Sequence, residues 1–168
     1  MNYIKITTND IANGPGVRVV LWVSGCNLHC AGCHNPQSWD YDAGGPFTKG
    51  TLLSIIGEMS RPEIAGLTLS GGHPIDPRNL DTTKRVVSII KELFPQKSIW
   101  LYTGYTWEAI RKNWDVYKEV IENCDVVVDG PYVEELRNIS LRFRGSSNQR
   151  LIDVKETLKA GAIVEVAG

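Results

Sequence analysis

The stretch Val17–Val23, VRVVLWV, constrains the fold most. It is apolar and β-branched with hardly an interruption. That pattern suits a strand buried on both faces, as in a sheet covered by helices. Directly after it comes GCNLHCAGCHNP, residues 25–36, with Cys26, Cys30 and Cys33 spaced C-x3-C-x2-C and His29 and His34 among them. A chemically reactive cluster thus follows the end of a buried strand.

The same alternation continues downstream. Thr48 can cap a helix that carries Leu52, Leu53, Ile55, Ile56 and Met59 at helical spacing. Gly66–Gly72 reads as a short strand. Asp76-Pro77 reads as N-cap and first helical residue of a helix with Leu80, Val86, Val87, Ile89, Ile90, Leu93 and Phe94 inside. Ser98–Thr103 and Cys124–Asp129 are further strands. Between them lies a helical stretch that Thr106 can cap and that breaks near Asn113. Arg150–Val154 and Ala162–Val166 are weaker strand candidates around a short helix at Lys155–Ala160.

Strand-then-helix repetition predicts an α/β fold with parallel strands and right-handed crossovers. At 168 residues the chain suits a single domain, 1–168. A complete eight-stranded α/β barrel needs about 250 residues. A barrel here would be a partial, incomplete one of about five to six βα units, open on one side; a doubly wound sheet is the other possibility. In either, ligands sit at the carboxyl ends of the strands. The cysteine cluster, Gly71-Gly72-His73-Pro74, Thr103-Gly104-Tyr105 and Asp129-Gly130-Pro131 all fall there.

Eighteen basic residues face nineteen acidic ones. That balance gives no reason to expect nucleic acid or a membrane as the main partner. No secretory leader is visible and the longest apolar run is far too short to span a bilayer. The expected location is cytoplasmic, where thiols stay reduced. Four cysteines grouped three-plus-one then point to metal or redox chemistry. Structural zinc wants four ligands, and one short loop would have to supply them all. A dithiol motif explains Cys30 and Cys33 but not Cys26. An iron–sulfur cluster usually takes four thiolates, so three would leave one iron open. Cys124, at the mouth of an apolar strand, reads as a buried structural thiol.

The C-x3-C-x2-C spacing after a first strand resembles the radical S-adenosylmethionine (SAM) superfamily. GCNLHCAGCHNP, TGYTWE, DVVVDGPYVEELRN and RFRGSSNQR further resemble the activating components of anaerobic (class III) ribonucleotide reductases, over roughly residues 10–154. The resemblance implies a radical SAM type of partial barrel and a 4Fe-4S cluster on Cys26, Cys30 and Cys33. The open iron would chelate SAM. Reductive cleavage would give a 5′-deoxyadenosyl radical, which makes a glycyl radical on the large subunit of the reductase. An electron donor such as a flavodoxin is implied as a second partner. The nearest alternative is an activase of the pyruvate formate-lyase type; a small zinc-binding module is the non-enzyme alternative.

By the same resemblance, Gly32, Cys33 and His34 neighbour the SAM adenine. Gly71, Gly72, His73 and Pro74 match a GGEP or GGDP motif that receives the SAM amino group. Thr103 and Asp129 neighbour its methionine and ribose, and Asn148 and Arg150 match a stretch near the cofactor. His73 departs from the motif, since neutral histidine offers one acceptor nitrogen and no charge where an acid is expected. Position 73 could instead face away from the ligand. Asn13-Gly14-Pro15-Gly16-Val17-Arg18 resembles the GPGxR of related activases and can also be a tight turn. Arg137, Arg142, Arg144 and Arg150, with no acid between them, form either a solvated basic surface or a carboxylate-recognising set.

Overall fold

The structure is a computed structural model that describes residues 1–167. Among them are seven strands: β1 (Asn2–Asp10), β2 (Val17–Val23), β3 (Gly45–Pro46), β4 (Ile64–Gly71), β5 (Ser98–Tyr102), β6 (Val126–Asp129) and β7 (Arg150–Asp153). Five α-helices accompany them: α1 (Lys49–Met59), α2 (Leu80–Leu93), α3 (Trp107–Lys112), α4 (Trp114–Ile121) and α5 (Val154–Ala160). The strands form one mixed sheet in the order β3-β1-β2-β4-β5-β6-β7. Neighbours β2, β4, β5 and β6 are parallel; β1, β3 and β7 join antiparallel.

The fold is therefore α/β, but the expected five to six parallel units are corrected to a parallel run of four strands. The first discrepancy is β1, half-buried along most of its length and so lacking the apolar run that betrays β2. The second is β7, reached through a long excursion (130–149) that contains no α-helix and delivers the strand antiparallel. Ala162–Val166 is not a strand; it touches β7 through an isolated Ile152–Glu165 bridge.

The period of two along each strand sorts side chains onto two faces. Val19, Leu21, Leu67, Leu69, Ile99, Leu101, Val127 and Ile152 join one apolar cluster with Ile55, Met59, Val86, Ile90, Ile110, Val120 and Ile121 of the helices. Each of the five helices contributes to this cluster, so they form one layer. Trp100, Val126, Val128 and Leu151 point to the opposite face, where Phe143 of the excursion packs on them. Arg18, Thr68 and Ser70 are buried on that second face as well.

Thr48 caps α1 through a capping box with Thr51, and Thr106 caps α3 by accepting from Ala109 N–H, as the sequence predicts. The start of α2 differs. Asp76 does not adjoin the regular helix: its carboxylate caps only the turn ahead of α2, accepting from the Arg78 N–H (3.0 Å), and also accepts from Tyr41 Oη (2.7 Å). Its carbonyl instead accepts from the Asn79 and Leu80 N–H groups, and the regular helix begins three residues after Pro77. Among the described residues no helix is long and apolar enough to cross a membrane.

Candidate active site

The cysteine loop leaves β2 at Gly25, which has a φ of +91°. The loop is anchored by its own continuation: Gly25 N–H donates to Ser38 O (2.8 Å) and Cys26 N–H to Trp39 O (3.1 Å). Cys26 is 9% exposed, and burial pushes its thiol pKa up. Cys33 Sγ accepts from the Asn35 N–H at 3.4 Å. Gly32 has a φ of +72°, and the Glu134 carboxylate occupies the space a side chain there would need. Tyr132 Oη donates to Glu134 (2.8 Å), and the Tyr132 ring lies 4.8 Å from that of His34. The excursion thus clasps the outer side of the loop. His29 is exposed and stacks on Trp39 at 4.7 Å.

Gly71 and Gly72 close the end of β4 against the same loop. Gly72 N–H donates to Val23 O and His73 N–H to Gly25 O, both at 2.8 Å. Added side chains would strike the backbone of Val23, Gly25 and Ser38. Pro74 O accepts from Thr83 Oγ1 at 2.6 Å. His73 is 1% exposed and does not face solvent. Its Nε2 lies 2.8 Å from Thr103 Oγ1, which also accepts from the Tyr105 N–H. Burial pulls its pKa down to about 4, so the ring is neutral at pH 7.

A cavity of ≈ 420 Å³ lies between these loops and the second face of the sheet. That volume is typical of small-molecule sites. Cys26, Cys30, Cys33, His34, Gly71, Gly72, His73 and Thr103 all line it. Gly32 and Pro74 lie beside it without forming its wall. Asp129, Asn148 and Arg150 are also outside the lining. Buried Asp129 accepts from Arg150 Nε (3.0 Å) and Nη2 (2.5 Å) and from the Trp107 N–H (2.6 Å). Arg150 also grips Glu108 and holds its carboxyl down to about 2. Asn148 Nδ2 donates to Pro131 O at 2.8 Å.

Sequence reasoning did not single out Trp22, Tyr102, Tyr132, Phe143 and Gln149, which also line the cavity. Strand alternation could have placed Trp22 and Tyr102. Gln149 acts as a brace, donating to Gly130 O and accepting from the Gly145 and Ser146 N–H groups.

The lining suits an anionic thiolate-bound cluster and a ligand beside it. Among the described residues it holds three cysteines, one formal positive charge at Arg144, and neither Asp nor Glu. Among the described residues four buried side-chain polar atoms lack partners, and three belong to cavity residues: His73 Nδ1, Trp39 Nε1 and Arg144 Nε. Native interiors leave few such groups unpaired, so a polar ligand or ordered water in this cavity would find partners here. Among the described residues no three His, Cys, Asp or Glu side chains gather to hold a single metal ion. Cys124 lies apart, buried in the helical core.

Comparison with known proteins agrees with this chemistry. Residues 12–152 match the family described as a 4Fe-4S single cluster domain. The anaerobic ribonucleoside-triphosphate reductase-activating protein of Enterobacteria phage T4 is 43% identical over 151 residues, 90% of this chain and 93% of that protein. The proteins of the same name from Escherichia coli K12 and Pasteurella multocida are 40% and 38% identical, each over 89% of this chain and 96% and 95% of their own length. Similarity of that extent, running through the cysteine loop and every strand of the parallel run, shows that the chain belongs to the family of anaerobic ribonucleoside-triphosphate reductase-activating proteins.

Proposed function

We propose that this chain is the activating enzyme of an anaerobic ribonucleotide reductase and acts as a radical SAM oxidoreductase, with residues 1–168 as one radical SAM domain. Cys26, Cys30 and Cys33 hold a 4Fe-4S cluster through three thiolates and leave one iron open. The single helical layer and the unreversed strand order β2-β4-β5-β6 support reading the sheet as part of an incomplete barrel. A doubly wound sheet would reverse its strand order and carry helices on both faces.

Held by Cys26, Cys30 and Cys33, a reduced cluster would supply the electron for reductive C–S cleavage of SAM, the chemistry by which a glycine of the reductase large subunit would lose a hydrogen atom. The chain's own residues hold and aim the reactants. The 71–74 loop and Thr103 receive the methionine end, and His34 with Tyr132 flanks the adenine side. Apolar Trp22, Leu28 and Phe143 keep water away from the reacting atoms.

The observation that carries this reading is that all three clustered cysteines and the ends of β4 and β5 line one cavity. The test is anaerobic reconstitution followed by reduction with SAM, with and without the reductase. About four irons per chain, methionine with 5′-deoxyadenosine, and a glycyl radical signal on the reductase are expected. A colourless protein with one tightly held zinc would overturn the reading. Radical formation on pyruvate formate-lyase in preference to the reductase would redirect it to the other class of activase. A reduced flavodoxin should replace the chemical reductant.

A further inference from the structure

Asn79 occupies the N-cap position of α2, yet its side chain makes no capping bond. An asparagine there normally accepts from the N–H groups of the first turn. Here its amide is 1% exposed and is turned the other way. Nδ2 donates to Ser24 O at 2.8 Å and His73 O at 3.0 Å, with Gly25 O at 3.4 Å. Ser24 and Gly25 directly precede Cys26, and His73 belongs to the 71–74 loop. One buried amide therefore spans the cysteine loop and the loop beside it. The backbone adds two parallel ties, Gly72 N–H to Val23 O and His73 N–H to Gly25 O. Gly72 lets the two loops touch, since a side chain there would strike Gly25 O and Ser38 O.

We propose that Asn79 is a positioning residue that fixes the cysteine loop against the 71–74 loop and so sets the separation between the cluster and the methionine end of SAM. This rests on the function proposed above. Two of the three carbonyls that Asn79 engages, those of Ser24 and Gly25, stand two and one residues before the first cluster ligand. A shift there moves the ligand without removing it. The consequence is selective: cluster assembly depends on the three thiols and persists, while SAM affinity depends on the spacing and falls.

Asn79→Asp separates this role from helix capping. Aspartate caps as well as asparagine but brings a carboxylate against three carbonyl oxygens and has no N–H to offer them. A mere cap predicts no loss in Asn79→Asp; a positioning residue predicts that it fails like Asn79→Ala. Two measurements are made on the full chain. In the cluster-free protein, amide exchange at Gly72 and His73 should rise about tenfold in both variants, the scale of one lost buried hydrogen bond, with β5 unchanged. In the reconstituted protein, iron per chain should match wild type while SAM affinity by calorimetry falls about tenfold. Wild-type exchange and affinity in Asn79→Asp would overturn the proposal, as would equal loss of iron and SAM affinity. If either Asn79 variant fails to accumulate, Gly72→Ala perturbs the same contact from the other side and must show the same split. If wild type binds neither cluster nor SAM, the proposed function fails, while the exchange measurement still tests the clasp.

Discussion

The His73 imidazole carries a proton only below about pH 4 in the folded chain, against about 6.5 when exposed. Burial is the main cause, with Asp76 opposing it. The unfolded chain then binds one more proton than the folded one between pH 4 and 6.5. Stability rises with pH across that window and is lost as pH falls through it. The full span amounts to roughly 3 kcal/mol. His73→Gln, which can still bond Thr103, should remove about one proton from the slope of unfolding free energy against pH in that range. Denaturant titrations at several pH values measure it, and an unchanged slope would mean that His73 is not the group responsible. The cysteines make a second contrast. Cys124 is 4% exposed in the helical core, where burial pushes its thiol pKa far up. Cys124→Ala should cost about 1 kcal/mol and leave the iron content intact. Serine at Cys26, Cys30 or Cys33 should remove most of the iron. Iron and sulfide assays decide, and iron loss in Cys124→Ala would contradict this division.

Between elements, Arg18 acts as a staple across three strands. It is fully buried on β2, and its Nε donates to Thr68 Oγ1 at 2.7 Å on β4. Its Nη atoms donate to Leu67 O, Ser98 O, Ser98 Oγ and Pro15 O, joining β4, β5 and the turn before β2. Desolvation lowers its pKa to about 10, so it stays charged at neutral pH. Arg18→Met should cost about 3 kcal/mol by stranding these acceptors, and Arg18→Lys should recover little because one ammonium cannot reach them all. The midpoint of denaturant unfolding measures both; a neutral Arg18→Met would show that packing alone holds the three strands. None of this was legible in GPGVR, which announces a turn but not that its arginine points inside. β2 was legible because it is apolar on both faces, and α1 because Thr48 and the periodic residues after it agree. β1 was not, since a half-buried strand lacks a clear period. Asp76 misled because its carboxylate caps a turn at Arg78 and bonds Tyr41 while the regular helix starts later, at Leu80. The three cysteines and the 71–74 loop were legible from spacing and strand ends. Tyr132, Arg144 and Gln149 reach the cavity from an excursion with no periodicity, so the sequence carries no signal of where they point.

At the scale of the molecule, the sheet separates a helical layer from a face made of loops. The loop face holds the cavity and most of the unpaired buried polar atoms, while the helical face holds the larger apolar core. Stability and ligand binding should therefore respond to different substitutions. Leu93, expected on the inner face of α2, is instead 51% exposed at the helix end and lies on the helical side. Leu93→Lys should change stability by no more than about 0.5 kcal/mol and leave iron content and SAM affinity at wild-type values. Gly145 lies at the opposite extreme. An added Cβ would sit 3.1 Å from the Tyr132 ring and 3.2 Å from the His34 ring. Gly145→Val extends further still and should displace both rings from their present positions beside the cavity. SAM affinity should fall by more than about tenfold at a stability cost of roughly 1 kcal/mol. Calorimetric SAM titration and thermal unfolding of the two variants, run together, test whether the faces are independent. Equal affinity losses in both would show that the helical layer and the cavity move as one unit.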